Sequence, residues 1–259
     1  MKFLNDTKKY FSYVVWSAKS QLKSEVASSY LNWLWWVLNP FCMMLIYAFI
    51  FGVVFNGREE HFAAFIFIGL TAWNFFNNCV TSSVKMVKAN KAIIDKVYVP
   101  KFVLAYTRMG VNAFKMLISV GIIVLMLIVY RVHITWRVVL VLPLLLLLFV
   151  ITFAAMTILM HLGVFIEDMK NVITILLRLL FYITGIFYAV EKRLPKPYGS
   201  WCIRINPLAY ILDGLRQVVL YGNVPDWRIG AIWMVIGCIV AGIGVKIIYR
   251  YENGYAKVV

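Results

Sequence analysis

Six long apolar stretches occupy most of this 259-residue chain, at roughly 33–55, 62–84, 105–130, 138–163, 172–190 and 229–249. A helix needs about 20 mostly apolar residues to cross a bilayer, so the pattern predicts an all-α membrane protein with six transmembrane helices. The stretches leave no room for a separate soluble domain. Residues 1–259 are therefore read as one transmembrane domain: an interface segment 1–32, a six-span bundle 33–249 and a tail 250–259. No stretch carries an ATP-binding or catalytic motif, so the energy for any transport must come from an ion gradient or from a partner subunit.

The net charge is +15. In a soluble chain this would suggest nucleic acid. In a membrane protein, Lys and Arg concentrate on cytoplasmic loops, and no nucleic-acid partner is expected. Lys2, Lys8, Lys9, Lys19 and Lys23 precede the first span, and Lys85, Lys88, Lys91, Lys96 and Lys101 follow the second. Both termini are thus expected in the cytoplasm. The 191–228 loop is basic yet falls outside, and long external segments weigh little in topology. Met1 to Ser29 lacks the short apolar core and small-residue cleavage site of a secretory signal. Of Cys42, Cys79, Cys202 and Cys238, three lie inside spans and none forms a CxxC, so neither a disulfide nor a metal site is expected.

Several faces stand out within this plan. Leu4, Phe11, Val15, Ala18, Leu22 and Val26 repeat at helical spacing with lysines elsewhere, which predicts an amphipathic helix on the cytoplasmic interface. Trp33 to Trp36 anchor the first span before Asn39-Pro40, and Tyr47 and Phe51 continue it. Asn74, Asn78 and Thr81 share one face of the second span, to meet either a partner helix or a cavity. Lys101, Arg108, Asn112, Lys115 and Ser119 share a face of the third. It climbs roughly 20 Å into the membrane, so Lys115 either snorkels or lines water. In the fifth span Arg178, Tyr182, Gly185 and Ala189 align.

Two loops carry local order. Residues 85–101 can form a short helix stopped by Pro100. In the 191–228 loop, Asn206-Pro207 is a helix start with a capping residue and proline at the first helical position. Leu208, Ile211, Leu212, Leu215, Val218 and Val219 then form an apolar face, with Asp213, Arg216 and Gln217 off it. This helix, too short to span, should lie on or re-enter the outer side of the membrane.

The missing chemistry also narrows the class. Gly52 to Gly57 has phosphate-loop spacing but is followed by Arg58-Glu59 rather than Lys-Ser or Lys-Thr. His61, His133 and His161 are scattered. No carboxylate sits within a span, which argues against a proton-coupled carrier. Glu167-Asp168 is an adjacent acidic pair on a short loop, and a membrane glycolipid-modifying enzyme would need more than that loop provides.

Four segments, in order over nearly the whole chain, resemble the permease subunits of type-2 ABC exporters for cell-surface polysaccharides such as O-antigen, capsule and teichoic acid. They are Ser29 to Pro40 (SYLNWLWWVLNP), Ile93 to Lys101 (IIDKVYVPK), Phe165 to Val172 (FIEDMKNV), and Asn206 to Tyr210 (NPLAY) with Leu220 to Trp227 (LYGNVPDW). The chain departs from the family at Glu167, where arginine is common, at Asn32, where glycine is, near Glu25, where basic residues are, and at Gly185, where proline is.

The resemblance implies a non-catalytic permease that pairs as a homodimer. Each copy would bind a separate nucleotide-binding subunit, which carries the ATP and Mg. The cargo would be a polysaccharide on a polyprenyl diphosphate lipid, leaving the bacterial cytoplasmic membrane. It implies coupling through Lys91, Ile93, Ile94, Asp95, Lys96, Tyr98 and Pro100, with Glu167 and Asp168. Trp36, Tyr47, Phe51, Asn74, Asn78, Tyr182 and Tyr188 become pathway candidates. Arg108, Lys115 and Arg178 become diphosphate or headgroup contacts, and Asn206, Pro207, Ile211, Leu215 and Arg216 an external gate. An ABC permease for a drug or simple lipid is the alternative.

Overall fold

Hydrocarbon offers no partner for a backbone N–H or C=O, so a chain this apolar must satisfy its backbone internally. The computed structural model meets that demand with helices, and no strand occurs among the described residues. It describes residues 2–27, 32–54, 59, 61–94, 96–193, 195 and 197–258. In chain order the helices are α1 (Lys2–Ala27), α2 (Asn32–Ala48, running into a π turn Phe49–Val54), α3 (Phe62–Ser83), α4 (Met86–Ala89), α5 (Lys91–Ile94) and α6 (Phe102–Val129). A 3-10 turn (Trp136–Leu140) then leads into α7 (Val141–Phe165), followed by α8 (Met169–Ile183), α9 (Val190–Arg193), α10 (Tyr198–Ile205), α11 (Pro207–Val219) and α12 (Trp227–Val258).

Among the described residues, four helices are long and apolar enough to cross a membrane: Phe62–Ser83, Phe102–Val129, Trp136–Phe165 and Trp227–Glu252. The stretches 33–55 and 172–190 yield shorter elements. The apolar part of α2 is Trp33–Tyr47, with Pro40 inside the helix. α8 has 15 residues and stops at Ile183, because Gly185 turns the chain at φ 74°. Two boundaries differ as well. The expected tail beyond residue 249 continues α12 to Val258, and among the described residues the 191–228 loop follows the start of α9 and holds α10 as well as α11.

α7 and α12 form the most extensive seam. On α12, Gly237 faces Val150 and Ile151, and Gly244 faces Thr157 and Ile158, so the two backbones approach closely as membrane helices do at small residues. α1 lies across α6. Phe3 meets Phe102 at a tilt with ring centres 5.0 Å apart, Ala18 sits over Gly110, and Glu25 reaches Lys115.

α11 begins as its sequence predicts. The Asn206 side chain accepts from the Leu208 and Ala209 N–H groups at 3.0 and 3.3 Å, and donates to Thr184 Oγ1 at 3.1 Å. Its surroundings differ from expectation. α11 packs against both α3 and α7, with Ile211 and Leu215 buried. Arg216, expected off the apolar face, is 2% exposed. Its guanidinium donates to the carbonyls of Phe65 (3.1 Å), Gly185 (2.8 Å) and Ile186 (2.7 Å), and stacks 3.6 Å from the Phe65 ring centre. The amphipathic pattern assumes a wet polar face. Here the break after α8 supplies carbonyl acceptors, and the arginine turns inward to meet them.

Gly69 makes room for that guanidinium, since a Cβ there would stand 2.4 Å from Nη2. Arg216→Met should leave buried carbonyls without donors and lower stability by about 3 kcal/mol. Gly69→Ala should cost about 1–3 kcal/mol by overpacking. Gly121→Ala, whose Cβ meets nothing within 4 Å, should be neutral or mildly stabilising. Thermal unfolding in detergent measures all three, and equal melting temperatures for the Gly69 and Gly121 variants would contradict the packing described.

Candidate functional site

The polar stripes of the second and third stretches meet in one place. A cavity of about 290 Å³ lies between α2, α3 and α6. α2 gives it Trp36 and Asn39, α3 gives Thr71, Asn74 and Asn78, and α6 gives Asn112, Lys115 and Ser119. Helical periodicity explains the convergence: residues three, four and seven apart share a face, and each helix turns its polar face to the same gap. Trp36, Asn74, Asn78 and Lys115 were legible as candidates. Asn39 reads only as part of the Asn39-Pro40 step, and Thr71, three residues before Asn74, does not stand out in the sequence as a site residue.

The charge in this site is already met. Glu25, from the end of α1, places Oε2 2.6 Å from Lys115 Nζ and Oε1 3.8 Å from Arg108 Nη1. The two cations expected to contact a diphosphate therefore share one carboxylate. The Lys115 ammonium also sits 5.6 Å from the Trp36 ring centre, and Phe114 meets Trp36 edge-on at 5.9 Å. Asn112 donates to the Arg108 carbonyl at 3.1 Å and to Cys79 Sγ at 3.3 Å. Thr71 Oγ1 and Arg108 Nε are buried with no hydrogen-bond partner among the described residues. Thr71 lines the cavity, and an unmet hydroxyl in a roomy polar space calls for water or a hydroxylated ligand. An indole, amides and hydroxyls around a neutralised cation suit sugar hydroxyls and a sugar's apolar face.

The remaining pathway candidates form a separate cluster. Tyr47 packs on Phe187 at 4.8 Å, and Phe181 meets Phe187, Tyr182 and Trp73 at 5.3, 5.3 and 5.4 Å. The Tyr188 hydroxyl donates to the Tyr182 carbonyl at 2.9 Å, and the Tyr182 ring is exposed. Tyr47 lies eleven residues beyond Trp36 on the same face of α2, about 16 Å further along the axis. Arg178 is exposed on α8 and does not line the cavity. The Phe51 side chain, like that of Ile93, and all of Asp95 lie outside the described residues.

The coupling candidates gather at one end of the bundle. Val84, just before the 85–101 segment, packs its carbonyl against Gly163 near the end of α7, so this segment and the 165–170 turn emerge together. Lys91, Lys96, Tyr98, Glu167 and Asp168 are exposed there, Ile94 is half-buried, and Pro100 is buried. The Tyr98 hydroxyl donates to Glu252 Oε1 at 2.8 Å, and its carbonyl accepts from the Tyr10 hydroxyl at 3.4 Å. Tyr249 donates to Asp6 Oδ2 at 2.5 Å. Desolvation, then the hydrogen bond to Glu252 and its charge, raise the Tyr98 phenol to about 12, so it remains a donor at working pH. This network ties α1, the 97–100 loop and the end of α12 together. Glu252, Asp6 and Tyr249 were invisible in the sequence because their partners lie more than 150 residues away.

The sequence model of the family described as ABC-2 type transporter matches residues 13–220. The chain is 29% identical to an O-antigen export system permease protein RfbA of Klebsiella pneumoniae, over 96% of this chain and 95% of that protein. It is 24% identical to the Myxococcus xanthus protein of the same name, over 87% of each chain. It is 26% identical to the polysialic acid transport protein KpsM of Escherichia coli, over 80% of each.

If the cavity between α2, α3 and α6 is hydrated, it admits charged reagents. In a chain with Cys42, Cys202 and Cys238 replaced by serine, cysteine at Asn74 or Asn78 should react with charged methanethiosulfonates. Cysteine at Leu142, exposed on the outer surface of α7, should stay unreactive in lipid. Reaction at position 142 but at neither asparagine would exclude a water-filled site.

Proposed function

This chain belongs to the ABC-2 type transporter family, and from that premise we propose that it is the permease subunit of an exporter for O-antigen or capsular polysaccharide, carried as a polyprenyl-diphosphate-linked glycan. The observation that carries this reading is the cavity beside Trp36, lined by the amides of Asn39, Asn74 and Asn78 and by the unmet Thr71 hydroxyl. Such a surface holds sugar rings by stacking and by exchangeable hydrogen bonds, which suits a polymer that must slide. The exporting relatives match this chain along most of its length. The aromatic cluster at Tyr47, Tyr182 and Tyr188 extends the path along α2.

The protein works as a multi-pass membrane protein of the bacterial cytoplasmic membrane, with both termini in the cytoplasm. α2 and α8 complete a six-helix bundle. Their exposed apolar faces, with Phe41, Leu45 and Ile46 on one and Ile175, Leu179 and Ile183 on the other, support pairing with a second copy around a shared channel. ATP and Mg bind a separate subunit that docks on α1, 85–101 and 165–170. Arg178, unpaired with Glu25, is the better placed of the three candidate cations for the lipid diphosphate. α11 guards the exit as a fixed wall, with Asn206, Pro207 and Arg216 anchoring it, rather than as a loose lid.

Replacing Trp36 by Ala, or Asn74 by Leu, should preserve the membrane level of the protein and reduce surface polysaccharide about tenfold, equivalent to about 1.4 kcal/mol. A host whose surface polysaccharide stays normal when this chain is absent would overturn the cargo assignment. Tyr98→Phe should leave the ATP-binding subunit bound and reduce the ATPase response to lipid-linked glycan. Failure of any ATP-binding subunit to co-purify would overturn the partnership itself.

A further inference from the structure

Beneath α1, on the other side of α6 from the polar cavity, a second space of about 960 Å³ runs between α1, α6, α7 and α12. Its volume is that of a site for a drug-sized ligand. One end is apolar, walled by Met109, Phe149, Phe153 and Cys238. Small residues keep it open. Gly110 and Gly242 line it, and a Cβ at Gly242 would meet nothing within 4 Å.

The other end is polar. Thr7, Tyr10, Tyr249 and Lys246 meet there. The tyrosine hydroxyls are committed to Tyr98 and Asp6. Lys246 is exposed, and its ammonium forms no ion pair among the described residues.

Depth along α12 orders these features. The apolar span ends at Glu252, so Lys246 lies six residues inside it, about 9 Å from the end and within snorkelling reach of the interface. Cys238 lies eight residues deeper, about 12 Å. The slot thus presents a cation at headgroup depth and an apolar wall at acyl depth. Water does not fill an apolar space, and an empty one forfeits the dispersion contacts of its lining.

We infer that this slot holds one anionic phospholipid of the leaflet in which α1 lies, with its phosphate on Lys246 and an acyl chain reaching Cys238 under α1. The lipid is a resident of the subunit and distinct from the exported glycolipid. Its place beneath Tyr10 and Tyr249 puts it in contact with the residues that hold the 97–100 loop.

The test is native mass spectrometry of the full chain, purified from membranes containing phosphatidylglycerol and phosphatidylethanolamine. The wild type should retain one phosphatidylglycerol per chain after bulk lipid is stripped. Gly242→Phe should lose it, and Lys246→Gln should lose the preference for the anionic headgroup. Because a misfolded Gly242 variant would also lose lipid, a second measurement uses the native groove. With Cys42 and Cys202 changed to serine and Cys79 buried, alkylation of Cys238 should slow on adding phosphatidylglycerol and not phosphatidylcholine. Retention of a polyprenyl lipid, equal retention of both phospholipids, full retention by Gly242→Phe, or Cys238 alkylation indifferent to phosphatidylglycerol would each overturn the inference.

Discussion

Burying a guanidinium away from water is costly unless its donors are met, and this fold meets those of Arg216 with carbonyls from two other parts of the chain. The arrangement works both ways. The turn at Gly185 leaves carbonyls without helical partners, and the arginine supplies donors to Gly185 and Ile186. The Phe65 contact then fixes α11 to α3, and Asn206 fixes its start to Thr184 at the end of α8. One charge therefore sets the relative position of α3, α8 and α11. Since α3 carries Thr71, Asn74 and Asn78, the wall of the polar cavity inherits that rigidity.

The cavity itself is balanced differently. Lys115 and Arg108 face a carboxylate rather than carbonyls, and each of the three side chains keeps partial access to solvent. The result is a site polar enough to hold water and neutral enough not to trap an anion. That combination suits a neutral hydroxylated ligand better than an anion, and Arg178 lies outside this neutralised group.

Much of this was legible where the signal is local. The Asn206-Pro207 start depends on adjacent residues, and the stripes on α3 and α6 depend only on helical period, so both could be read directly. Helix ends were less legible. The fifth stretch looked long enough to span, but Gly185 adopts a left-handed conformation that composition does not reveal. Long-range pairing was not legible at all. Glu25 reads as one acid on a basic helix until α1 crosses α6, and Arg216 reads as a wet residue until the break after α8 offers it acceptors.

The Glu25 pairing also bears on biogenesis. A lysine or arginine near the middle of an inserting helix costs about 2.5–3.5 kcal/mol, and α6 carries Arg108 and Lys115 on one side. Synthesis runs from the amino terminus, so α1 and its carboxylate leave the ribosome before α6 reaches the bilayer. The counter-ion for these two cations is then present before the span that carries them. The order of residues along the chain thus places the carboxylate of α1 ahead of the two α6 cations that it pairs with.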